Sequence, residues 1–167
     1  MLIQQNQAIF PLCEVNTALT TSSELNSVNM KYYDHAAFVI QVASTLSWSV
    51  GASAVIFSIE SGTSDSADSG DVTFHWSVNT ASAATLSTVM TYSADATSSA
   101  LTFSTVGDLA GHTIILQVDA DELKTTSLGK VYDWLTVDFT NATVGTIDAF
   151  AILSKSRYSG ADLPVAV

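Results

Sequence analysis

Apolar and polar residues alternate with a period of two along much of this chain, and no stretch holds a helical period over ten residues. The clearest example is Met30-Lys-Tyr-Tyr-Asp-His-Ala-Ala-Phe-Val-Ile-Gln-Val42, where Phe38, Ile40 and Val42 point one way and Val39 and Gln41 the other. A counterpart lies near the far end, Ala149-Phe-Ala-Ile-Leu-Ser-Lys-Ser-Arg-Tyr158. Residues 72–78 put Val72, Phe74, Trp76 and Val78 on one face of a half-buried strand. Residues 54–60 and 112–118 are apolar runs, 85–92 and 100–106 are weaker strands, and 132–140 and 145–158 are the last two. Residues 61–71, filled with Ser, Gly and Asp, read as a loop. Asp119 and Glu122 have the spacing of a capping box for one helical turn. About eight strands at this spacing predict an all-β, antiparallel sandwich or barrel.

The first 22 residues read differently. Leu2, Ile3, Ile9, Phe10 and Leu12 are apolar but are broken up by a Gln/Asn tract and Pro11, and Thr20-Thr-Ser-Ser23 has the composition of a hinge. The stretch is either a first strand of its own domain or an arm that adds to a neighbouring sheet. The expected division is an N-terminal arm over 1–22 and a β-sandwich domain over 23–167.

The chain has 167 residues, 47% of them hydrophobic, enough for a single domain with a sizeable core. Only 13% are charged, and the formal net charge is −11. Of the five basic residues none lies between Tyr32 and Leu123, whereas Lys124, Lys130, Lys155 and Arg157 fall near the end. That balance argues against a nucleic-acid partner, whose phosphates demand cations. No apolar run reaches the roughly 18 residues of a membrane span, and residues 1–7 lack the pattern of a signal peptide, so synthesis in a cytoplasm without a membrane partner is expected.

Candidate chemistry is sparse. Cys13 is the sole cysteine, which leaves no internal disulfide and no Cys/His zinc pattern. The acidic loop over 65–71 fails the spacing of a calcium-binding EF-hand, because Ala67 stands where an oxygen ligand is needed. His35, His75 and His112 sit on separate strands with no sign of convergence. No nucleophile motif, phosphate loop or cofactor fingerprint occurs, so neither an enzyme nor a cofactor is expected. Tyr32, Tyr33, Trp134 and Tyr158 lie beside charged residues, which fits either rings packed partly in the core with their polar tips in water or the anchors of a protein–protein contact.

An N-terminal arm followed by Tyr33-x-His35-x-x-Phe38-x-Ile40-x-Val42 resembles the small head-decoration (cement) proteins of tailed bacteriophages. Gln117-Val-Asp-Ala-Asp-Glu-Leu123, Tyr132-Asp-Trp-Leu-Thr-Val137 and Ala151-Ile-Leu-Ser-Lys-Ser-Arg-Tyr158, followed by Pro164, extend the likeness over most of the chain after residue 25. The resemblance implies a jelly-roll-like β-sandwich that sits as a homotrimer on the outer capsid surface, binds the major capsid protein and stabilises the expanded head. The residues expected to carry partner contacts are Ile3, Ile9, Phe10 and Leu12 in the arm, Lys31, Tyr32 and Tyr33 where the arm leaves, and Lys155, Arg157 and Tyr158 near the end. The competing reading is a carbohydrate- or receptor-binding β-sandwich of a tail fibre or adhesin, stacking Trp and Tyr faces on sugars.

Overall fold

In the computed structural model, residues 7–14, 17–18, 22–44, 47–48, 54–65, 69–79, 96–104, 109–123, 128–140 and 143–156 are described. They form β1 (Gln7–Pro11), β2 (Thr17–Ala18), β3 (Ser22–Glu24), β4 (Val28–Asn29), β5 (Tyr33–Val42), β6 (Ser47–Trp48), β7 (Val55–Gly62) and β8 (Gly70–Asp71). There follow β9 (Phe74–Val78), β10 (Ala96–Ser98), β11 (Leu101–Phe103), β12 (Thr113–Asp119), β13 (Trp134–Thr140), β14 (Thr143–Val144) and β15 (Thr146–Ser156). One 3₁₀ turn, Ala120–Glu122, follows β12.

Every pairing is antiparallel. One sheet has the order β1-β15-β5-β12-β9-β10, with β2 also on β15. The other has the order β11-β7-β13, with β3 and β4 both on β13 and β8 on β7; β6 and β14 form a small ribbon. From β3 onward the chain changes sheet at most steps, staying within one only from β3 to β4, β7 to β8 and β9 to β10. The result sets β5-β12-β9-β10 opposite β4-β13-β7-β11, two interleaved Greek keys that make a jelly roll. β15 and β1 widen the first sheet beyond β5.

The alternation seen in the sequence is the physical basis of this arrangement. In β5, Ala36, Phe38, Ile40 and Val42 are buried while the residues between them are half-buried or exposed. In β7, Val55, Phe57 and Ile59 face inward by the same rule, as do Leu135, Val137 and Phe139 in β13. The two inner faces share one core, with Phe57 edge-on to Phe103 at 6.0 Å and tilted against Phe139 at 6.1 Å. The two segments singled out at either end of the sequence are direct neighbours: β5 and β15 pair from Val42↔Ile147 to Tyr33↔Ser156.

Buried polar groups mark the places where pairing changes. Asn79, 2% exposed, donates its backbone N–H to the Thr113 carbonyl at 3.1 Å and accepts the Thr113 N–H on its side-chain oxygen. It therefore closes the end of the β9–β12 ladder through two direct hydrogen bonds. Asn79→Ala is expected to strand the Thr113 N–H and lower stability by about 1–3 kcal/mol in urea titrations; a loss below about 0.5 kcal/mol would show that the ladder closes in another way.

Two sequence expectations change here. The 61–71 loop is narrower: Ser61 and Gly62 belong to β7, and β8 returns along it with Glu60↔Asp71 and Ser61↔Gly70 paired. Ser61 is fully buried and its hydroxyl donates to the Gly70 carbonyl at 3.1 Å, so a loop-forming composition here makes a hairpin. Ser22 and Ser23, in the segment read as a hinge, lie in β3 and pair with Thr140 and Phe139 of β13. The predicted strand over 85–92 lies outside the described residues.

Candidate functional site

Residues paired directly across an antiparallel ladder share a face. Applied to the first sheet, the register lines up its outward-facing side chains in rows. One row runs Ile9, Ile152, Ala37, Gln117, His75, and the next runs Pro11, Phe150, Val39, Ile115, Ser77. From β1 to β12 these two rows are apolar except for Gln117, and they carry no carboxylate, lysine or arginine. Ile9 is 68% exposed and Phe150 37% exposed. Polar rows frame the band, Gln7–Ser154–His35–Asp119 on one side and Asp148–Gln41–Thr113 on the other.

The outward face of the second sheet is the opposite in character. Glu24 stands directly across from Asp138, and Glu60 directly across from Asp71, with Thr136 and Ser58 between them. Like charges at such positions repel and cost stability, and the row is only partly open to solvent, since Thr136 is 2% exposed and Asp138 Oδ1 is buried. The sandwich thus has one apolar outer band and one acidic outer face.

A polar cluster adjoins the band at the β5 end. His35 Nδ1 lies 2.8 Å from Asp119 Oδ1, and His75 Nε2 lies 3.6 Å from Glu122 Oε1. Glu122 also accepts the Asp119 backbone N–H at 2.8 Å through its other oxygen, which fixes the 3₁₀ turn as the capping-box spacing predicted. His35, His75, Gln117 and Asp119 line a cleft of about 220 Å³. Beside it, Asp34, Asp119, Ala120, Asp121 and Lys155 line a shallow groove of about 530 Å³. Two of the three histidines therefore line one cleft, each against a different carboxylate and with β12 between their strands. Among the described residues no group of three or more His, Cys, Asp or Glu is placed to hold a metal ion. Among the described residues neither cavity is lined by a serine, threonine or cysteine, and the histidines there are tied to carboxylates.

The residues singled out in the sequence separate into groups. Lys31, Tyr32, Tyr33 and Lys155 gather at one end of the sandwich, where β5 starts and β15 finishes. The Lys31 ammonium sits 5.4 Å over the Tyr32 ring, a cation–π contact at an exposed site. Lys155 is exposed with φ 54°, the one non-glycine residue in the left-handed region among those described. Ile9 is on the apolar band, Phe10 packs partly against the core, and Leu12 is 1% exposed within the chain's own core, so burial removes its side chain from any partner contact. Ile3, Arg157 and Tyr158 lie outside the described residues.

Sequence reasoning missed Val39, Ile115, Phe150 and Ile152. A signal was there: 36–40 reads Ala-Ala-Phe-Val-Ile and 149–153 reads Ala-Phe-Ala-Ile-Leu, apolar at both parities. A strand of that kind belongs where both faces of a sheet are covered.

No protein-family model matches the chain, and neither does any curated protein. Among solved structures it is similar to the SPBc2 prophage-derived protein YomS, at 8% identity over 90% of this chain and 94% of that one, with a TM-score of 0.44. It is also similar to the coat protein of tobacco streak virus, at 13% identity over 100% of this chain and 99% of that one, TM-score 0.24. A dimer structure of that coat protein gives 12% identity, coverage of 99% and 96%, and TM-score 0.22. With scores this low, a functional reading must stand on the faces described above.

Proposed function

We propose that the chain is a non-enzymatic structural protein of a phage virion, which binds the outer capsid surface as a homotrimer and stabilises the expanded head. The observation that carries the reading is the division of the jelly roll into an apolar, uncharged outer band and an acidic outer face. A band of that kind needs a protein to cover it, whereas the acidic face suits the side turned to solvent. The end carrying Lys31, Tyr32, Tyr33 and Lys155 is the part assigned to the major capsid protein, since it gathers cations and aromatics in a chain poor in the former.

Stabilisation needs no chemistry. A protein that binds the expanded lattice and not its disrupted form raises the lattice's resistance by simple linkage. A trimer engages through three copies of each contact, so weak individual contacts suffice.

The test is addition of the purified chain to expanded heads that lack it. Saturable binding together with a rise in the temperature of DNA release is the expected result. Heads that neither bind the protein nor gain thermal resistance would overturn the proposal.

A further inference from the structure

We infer that the two apolar rows on the outer face of the first sheet are the self-association surface, covered by the same band on further copies of this chain. Three observations converge on that occupant. First, the band spans four adjacent strands whose inward neighbours already fill the core, and among the described residues Ile9 and Phe150 of the band are left exposed. Second, the chain carries a net charge of −11, which makes approach of two copies unfavourable almost anywhere else. When the bands meet, the paired carboxylates of the second sheet point away from one another. An uncharged apolar strip has nothing to offer a partner chosen by charge, but it complements itself.

Third, β1 forms the edge of the sheet, paired with β15 alone among the described residues. Its sequence Gln-Ala-Ile-Phe-Pro contains no charge, and Ile9 projects from it into solvent. Edges that must avoid neighbours are usually guarded by lysine or another charge. This one carries no charge and has only Pro11, at its last position, as a guard, and it places Ile9 and Phe150 where copies arranged about a symmetry axis would touch their own counterparts.

The assignment rests on the self-association in the proposal above, yet it is read on purified protein without capsids. Sedimentation velocity of the full chain over a concentration series should show a trimer that tightens between 50 and 500 mM salt, on the order of a few-fold, because salt screens the repulsion between acidic copies. Ile9→Lys and Phe150→Lys each reduce the net negative charge and so relieve repulsion, but both should weaken association about tenfold or more by breaking the apolar contact. Leu128→Lys, at a site 95% exposed and off the band, should associate as the wild type does. Circular dichroism confirms the fold of each variant, and Ile9→Lys decides the matter if Phe150→Lys fails to fold. A wild-type chain that stays monomeric at all concentrations, or band variants that associate normally, would assign the face to another occupant and overturn the inference. Band variants that stay trimeric and still bind heads would overturn the surface alone, whereas trimers that ignore the heads would overturn only the capsid reading.

Discussion

Phe57→Ala is expected to lower the stability of the folded chain by about 3–5 kcal/mol. Phe57 is fully buried at the middle of β7, and its ring contacts Phe103 of β11 and Phe139 of β13. Removing the ring leaves a cavity among three strands joined by a ladder that cannot close inward to fill it. Two aromatic contacts, each worth about 0.5–1.5 kcal/mol beyond area burial, go with it. For a domain of this size the thermal midpoint should fall on the order of 10 °C. Paired urea and thermal melts measure both quantities, and a fall of under about 1 kcal/mol would mean that the second sheet repacks freely.

The second large effect concerns the N-terminal stretch. Leu12→Ala should cost about 2–5 kcal/mol, whereas Ile9→Ala, three residues away, should cost less than about 0.5 kcal/mol in the isolated chain. Leu12 is 1% exposed; its N–H donates to the Ala149 carbonyl at 3.0 Å, and its carbonyl accepts the Asn26 N–H at 2.8 Å. One residue thereby ties the first sheet to the link between β3 and β4 of the second. Urea titration followed by tryptophan fluorescence separates the two variants. Equal and small effects would show that the stretch packs outside its own domain, as a strand lent to a neighbour.

Both predictions depend on facts that the sequence reveals unevenly. The inward sets of β5, β9 and β13 are legible because a period of two assigns each residue to a face. Partnership between strands is not, since β5 finds β15 and β12 far along the chain, and no local pattern names those partners. The serines at 22, 23 and 61 illustrate a second limit. Their composition favours turns, but the hydrogen bonds available beside β13 and β8 outweigh a weak local preference.

The candidate face was hidden for a related reason. Ile9, Val39, Ile115 and Phe150 become neighbours only through register, and each alone reads as an ordinary apolar residue in a strand. Lys31, Tyr32 and Tyr33 were legible as a group because they are adjacent in sequence, whereas their meeting with Lys155 depends on the β5–β15 pairing. The histidine pair required knowledge that β12 separates β5 from β9.

The opposed faces also give the molecule a direction. Like a surfactant, a chain whose apolar band lies on one side and whose paired carboxylates Glu24–Asp138 and Glu60–Asp71 lie on the other would present the same aspect to water wherever it settles. A coat of such molecules accumulates negative charge outward as it fills. Lateral crowding is then set by ionic strength, through a screening length of about 8 Å at physiological salt. Particles wearing that coat would repel one another in suspension, so salt tolerance of the dispersed particles would report how completely the surface is covered.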